Sequence, residues 1–410
     1  MTALFERPVA TLLIALATWT QFRLGSGNNV VVPGELRASW RTETGGQISA
    51  SPTVGDGVMF VGNNSGWLYA LDLDSGQTLW KTHVVNPLMS APLLYNDVVI
   101  VGEGDPTSRT SSPSQPVMVG EGPSALLAVD RASGRIRWQT AVAGSAMPTP
   151  AIINGVLVHH DGAGWINALD PMTGTKRYAR WIGSMASMSA ILPVGGGDFV
   201  TAGVGTNDVW RLRADDGALV WRSSFSRGAS GIGDCPQVTD GRKVFCDYVS
   251  PVYPDASTVV GHVTVERVYA LDLASGAPVW DIALEAGELP IRNEAAIPML
   301  AGGLLYLGSS VAPWMHAIDA TTGMLAWEHQ TRGAVKGGIV AVDATIYFGD
   351  LGGYLWALDA KTGRVIGDKS MHTPFNVGSP IVVGQTLIIG SDSGAVIAIP
   401  LEEIRKAHDS

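Results

Sequence analysis

Residues able to do chemistry recur at related places along this 410-residue chain. Met89, Met147, Met185 and Met188 precede apolar strands in its first half. Arg227, Asp234, Arg292, Asn293, Glu294, Arg332, Lys336, His372 and Asn376 take the corresponding places in the second half. Thioethers bind soft metals or adapt to an apolar partner, and a mixed row of charges suits an extended peptide or a protein loop. Filling gaps between strands is the commoner use of methionine, and a solvated rim the bland reading of the charges. His159-His160-Asp161 is a second candidate. Neighbours in a strand point to opposite faces, so the two rings cannot chelate one metal together, and one is expected to face inward while the other packs. No metal site is expected, and no G-x-S-x-G, H-E-x-x-H or phosphate-loop motif is present.

Cys235 and Cys246 are the only cysteines and flank a single hairpin sequence. With Asp240-Gly241 as the central pair of its turn, the two fall directly opposite each other. Opposed Cα atoms lie about 4.5–5.5 Å apart, within disulfide reach. The expectation is a bridge, which fits an oxidising compartment. Two reduced buried thiols are the alternative, and a shift of one residue in the turn would separate them.

The elements that position these residues follow from a repeat, A-φ-D-x-x-[S/T]-G-x-x-x-W, with φ aliphatic. Full copies carry Asp72, Gly76 and Trp80; Asp130, Gly134 and Trp138; Asp272, Gly276 and Trp280; and Asp319, Gly323 and Trp327. Degraded copies end in Tyr178, keep only Trp221, or lose the Trp at Gly367. The aspartate positions 72, 130, 170, 213, 272, 319 and 359 step by 58, 40, 43, 59, 47 and 40. A period near 40 in an all-β chain means a propeller. Upstream of each copy a Pro-led or Gly-led apolar hairpin supplies two more strands, beginning with Pro52 to Gly62. Eight hairpins are present, and the last lacks a fourth strand. Glu35 to Trp40 is expected to provide it from the N-terminus, closing eight four-stranded antiparallel blades and leaving no open edge. The Asp, Gly and Trp of each copy then have structural work: a turn tolerant of positive φ, and an indole laid over the neighbouring blade.

Composition agrees. Glycine contributes 50 residues and charged residues only 16%, as turn-rich apolar strands require. A net charge of −10 and the absence of any basic run exclude nucleic acid as partner. Residues 8–17 are apolar and end in Ala15-Leu16-Ala17, so residues 1–33 read as a signal peptide, or an N-terminal anchor, plus linker, and 34–410 as the propeller. Export to a periplasm or similar compartment is expected, with membrane association through the N-terminal segment as a possibility. The longest insertions, Glu103 to Pro123 and Val249 to Thr264, fall in second-to-third-strand loops and so project from one face. The first, rich in Ser and Pro, reads as a flexible loop.

The repeat resembles that of pyrroloquinoline-quinone-like propellers over residues 35–400. That superfamily holds quinoprotein alcohol dehydrogenases and the B subunit of the outer-membrane β-barrel assembly machinery. The resemblance implies either a non-enzymatic scaffold in the cell envelope or a quinone-dependent alcohol or sugar dehydrogenase. The dehydrogenases typically carry a vicinal Cys-Cys pair, a calcium or lanthanide ion held by Glu, Asn and Asp, and a catalytic Asp. This chain has no Cys-Cys. The expectation is therefore a scaffold with no cofactor and no catalytic residue, binding a protein or peptide at the channel mouth formed by the Met, Arg, Asn, Glu, Lys and His residues above. A dehydrogenase using quinone with calcium is the alternative, and an accessory subunit of a membrane-associated complex the third reading.

Overall fold

The computed structural model describes residues 29–105, 109–112, 115–117, 122–186, 188–203, 208–225, 236–251, 263–288 and 295–406. Eight antiparallel sheets follow one another around a central axis, each built from consecutive strands. Blade 1 is Thr53–Gly55, Val58–Gly62, Trp67–Asp72 and Thr78–His83. Blades 2 to 7 repeat this order, and blade 8 is closed by Trp40–Glu43 from the N-terminus, paired antiparallel with Ala395–Pro400. The expected eight-bladed propeller with an N-terminal latch is thus the observed fold.

The latch differs from expectation in its bounds. Its strand starts at Trp40, where Glu35 to Trp40 was foreseen. Residues 36–38 instead cross the end of the last hairpin: the Leu36 carbonyl accepts from the Gln385 amide, and the Ala38 amide donates to Thr386 Oγ1. Val31–Val32 adds a fifth, parallel strand inside blade 8, ahead of the expected domain start at 34. The 103–123 insertion contains a short hairpin, Arg109–Ser112 with Gln115–Val117, where only flexible loop was expected. In the second insertion the blade-5 strands run on, Lys243–Pro251 pairing with Val263–Asp272 as far as Pro251 opposite Thr264.

Inter-blade contact explains the repeat residues. Gly76 has φ +70° and lies under the Trp40 indole, and the Asp72 carboxylate accepts from the amide and hydroxyl of Ser75 to hold the turn. Each indole donates forward to a carbonyl of the next blade: Trp80 to Arg131, Trp138 to Pro171, Trp221 to Leu273 and Trp327 to Ala360. Tyr178 donates to Ala214 in the same way, so the degraded copy keeps the contact. Trp280 lies over Gly323, but its Nε1 is buried without an acceptor. Between the sheets lie apolar clusters such as Phe60, Val99, Val101, Leu127 and Val129.

The missing Trp at Gly367 has a structural cause. Helix Leu401–Lys406 lies over that strand, and a Cβ on Gly367 would sit 2.2 Å from the Ile404 carbonyl oxygen. An indole there would displace the helix.

The cysteine hairpin carries a correction. Val238 pairs with Phe245 and Thr239 with Val244, which sets Gln237, not residue 235, opposite Cys246. The turn is centred one residue later than expected because the Asp240 carboxylate accepts from the amides of Arg242 and Lys243 and widens it to four residues. Cys246 is fully buried, and Cys235 lies outside the described residues.

Gly367→Ala is expected to destabilise the protein by about 1–3 kcal/mol through overpacking against the helix. Chemical denaturation should show this loss, and deletion of residues 401–410 should abolish the difference between Gly and Ala.

Candidate functional site

The second strand of each blade ends on a position that faces the next blade's entry segment. Aligned by register, it holds Gly62, Gly102, His160, Ala202, Asp247, Gly308, Gly349 and Gly390. At the glycines the approach is too close for any side chain. A Cβ on Gly102 would meet the Ala146 oxygen at 1.9 Å, and one on Gly308 the Val335 oxygen at 2.1 Å. Only blades 3 and 5 carry a polar side chain there.

His160 is fully satisfied: Nδ1 pairs with Thr201 Oγ1 at 2.9 Å, and Nε2 with the Ser184 carbonyl at 2.7 Å. Burial lowers its pKa to about 4, and burial with the neighbouring His160 charge lowers that of His159 to about 3. Both rings are fully buried and, as neighbours in one strand, point to opposite faces of the sheet. Asp161 accepts from the amides of Ala163 and Trp165 and from Asn167 Nδ2, which makes it a loop cap. Asp350 does the same in blade 7.

Asp247 is not satisfied in that way. It is fully buried; one oxygen accepts from the Ala296 amide at 2.9 Å, and its further hydrogen bond is to the Glu266 carboxyl. On the same sheet face stands Glu266, also fully buried, with Oε2 accepting from Ser310 Oγ at 2.8 Å. Register explains the meeting: Asp247 pairs with Val268 and Val249 with Glu266, so the two carboxyls are diagonal neighbours. Burial raises the pKa of Asp247 well above the carboxylate range, and the charge and hydrogen bond of Glu266 push it the same way. Burial raises Glu266 too, opposed by hydrogen bonds from Asp247 and Ser310. The two titrate as a pair. Beside them Glu285 Oε2 lies 3.1 Å from His316 Nε2. Burial pushes the Glu285 pKa up, but the hydrogen bond and charge of His316 outweigh it and hold the group below its usual value. A pair holding a proton next to a carboxylate that has lost one is the arrangement that acid–base chemistry needs.

The residues expected at the channel mouth are dispersed. Met89 and Met188 line the narrow channel with Ser49, Thr149, Ala295 and Val377, leaving room for about one water. Met147 and Met185 are buried, as is Lys336, whose carbonyl accepts from the Ile297 amide. Arg332 is held flat by Asp368 at 3.0 Å and by the Tyr354 ring at 4.3 Å. His372 is exposed at φ +53°, and Asn376 is half-buried near Asp392. Arg227, Asp234, Arg292, Asn293 and Glu294 lie outside the described residues. Among the described residues no group of three or more His, Cys, Asp or Glu is placed to hold a metal ion.

Asp247, Glu266, Glu285 and His316 were not among the expected site residues. The signal was present: aligned second-strand ends read V-G-N, V-G-E, L-G-S, F-G-D and I-G-S, against C-D-Y in blade 5.

A family model described as outer membrane protein assembly factor BamB matches residues 35–111, 106–184, 162–260 and 264–403. A tetrathionate hydrolase of Acidithiobacillus ferrooxidans is 26% identical over 86% of this chain and 72% of its own length. Assembly factor BamB of Yersinia pestis is 24% identical over 83% of this chain and 81% of its own. The solved quinohemoprotein alcohol dehydrogenase of Comamonas testosteroni superposes with a TM-score of 0.66 at 13% identity, covering 96% of this chain and 82% of that one.

A carboxyl whose folded pKa is raised stabilises the fold fully below its unfolded pKa, and that contribution is lost as pH rises through the folded value. Thermal unfolding from acid to neutral pH should therefore show the wild type losing stability relative to Asp247→Asn, by about 1–3 kcal/mol at neutrality. Parallel curves would show that folding leaves the Asp247 pKa unshifted.

Proposed function

Since the chain belongs to the BamB-type family of PQQ-like repeat propellers, we propose that it is an exported member whose working site is the Asp247–Glu266 carboxyl pair, used in acid–base hydrolysis. The observation that carries this reading is Asp247 standing fully buried against a second buried carboxyl, Glu266, where five blades have glycine. A structural role would fill the same space with an apolar group at lower cost, since a buried carboxyl without full hydrogen bonding is expensive. The hydrolase relative supports the reaction class and suggests tetrathionate as the first probe. In such a step the protonated carboxyl donates to the departing group while its partner draws a proton from the attacking water.

Export places the chain on the oxidising side of a membrane, where a Cys235–Cys246 bridge would form. No helix among the described residues is long and apolar enough to cross a membrane. Non-reducing mass analysis of cyanylated protein should find no free thiol.

The assay follows tetrathionate consumption by the full chain at acid pH. Asp247→Asn should lose at least ~100-fold in turnover while keeping its circular dichroism. Turnover unchanged in that variant would remove Asp247 from the reaction. No turnover in the wild type would favour the second reading, a scaffold holding a protein or peptide at its loop-bearing face. The BamB relative supports that reading, and so does the exposure of Arg332 and His372 on neighbouring blades. Photo-crosslinkers at those two positions would then capture one envelope protein, and the same label at Asp56 on the opposite face would not.

A further inference from the structure

The Asp247–Glu266 pair cannot exchange protons with solvent by itself, because both side chains are fully buried. The titratable groups facing it come from two further elements. Glu285 stands on the outermost strand of blade 5, Pro278–Glu288, and His316 on the blade-6 strand Trp314–Asp319. Asp247 and Glu266 themselves occupy the two strands between. Arg267, Tyr248 and Asp281 form their own network on the opposite face of the sheet, through the Tyr248 hydroxyl to Asp281 at 2.7 Å. Tyr269 also lies on that opposite face, packed against Phe225.

Within the cluster only Glu285 reaches water. Its side chain is 19% exposed, against 2% for His316. It sits at a bulge between Val265 and Arg267 of the paired strand, which turns it out of strict alternation toward blade 6. There it meets His316 at 3.1 Å and the hydroxyl of Ser309, while the next residue, Ser310, donates to Glu266. The charges of both Glu285 and His316 are felt at Glu266. A group ionised at the rim, an imidazole behind it and two adjacent hydroxyls therefore lead from solvent to the pair.

We propose that Glu285 and His316 form the proton-exchange route of the Asp247–Glu266 pair. This rests on the reading of that pair as the working site. In each cycle the proton given up by the pair is replaced by one entering at Glu285, handed to His316 and then to Glu266, so the cluster returns to its starting charge. Both are positioning residues: neither needs to touch substrate.

The test uses the full chain without substrate. After a rapid drop in pH, the carboxyl C=O infrared band of the pair, identified by its loss in Asp247→Asn, is followed in time. Glu285→Gln and His316→Gln should each slow its growth by at least ~tenfold. Ser310→Ala, which removes a hydrogen bond to Glu266 but leaves the route, should move the titration midpoint and not the rate. Unchanged rates in both route variants would overturn the proposal while leaving the pair intact. A wild type with no band sensitive to Asp247→Asn would overturn the pair reading, and the route with it. Should His316→Gln fail to fold, the partly exposed position of Glu285 keeps the first variant decisive.

Discussion

Everything in this ring depends on how closely one blade can approach the next. The contact is made at the end of each second strand, where in five of the eight blades a glycine lets the entry segment of the following blade lie against the sheet. Distances near 2 Å from a hypothetical Cβ to a carbonyl oxygen leave no latitude. The indoles of the repeat close the same junction from outside, each resting on the Gly of the next turn and, Trp280 excepted, donating to a carbonyl of the next blade. The latch strand makes the last junction like the others, so the ring has no weak seam: Gly390 abuts Ile48 as Gly62 abuts Leu88.

Against that constraint a side chain at the junction is a departure with a cost. Blade 3 meets it with His160, whose two nitrogens find partners on blade 4, so the departure is a polar rivet. Blade 5 meets it with Asp247, which takes one amide and a second buried carboxyl, Glu266. Buried carboxyls elsewhere, Asp161 and Asp350, are held by amide and indole N–H donors and cap loops. Burial is similar in all of them, and what distinguishes Asp247 is that it faces another carboxyl.

The fold was legible because it is periodic. Aspartate, glycine and tryptophan at fixed offsets specify a turn and an indole contact locally, and Gly367 was the one gap whose cause, the helix at 401–406, lay far away in sequence. The cysteine register was missed for a local reason: Asp240-Gly241 reads as a two-residue turn, yet the Asp240 carboxylate captures two amides and shifts its centre. The site was missed because charged residues near the channel attracted attention by exposure. Lys336, Met89, Met147 and Met185 turned out buried, and Arg332 is tied to Asp368. Glu266 and Glu285 come from different strands and His316 from a different blade, so no spacing in the sequence announces their meeting.

A closed ring suits chemistry of this kind. Moving a carboxyl pair by an ångström changes its hydrogen bonding and its proton affinity, and loops rarely hold such geometry. Here the pair sits between two sheets, with Asp247 and Glu266 fixed by adjacent ladders and Glu285 and His316 by their own strands. Blade 5 also has the longest strands of the ring, so the junction extends beyond the level where other blades end. One substitution at a glycine position, on strands long enough to bring a second carboxyl beside it, replaces a packing contact with a buried carboxyl pair. The other seven junctions can stay unchanged, which is how one propeller can serve as scaffold in one relative and enzyme in another.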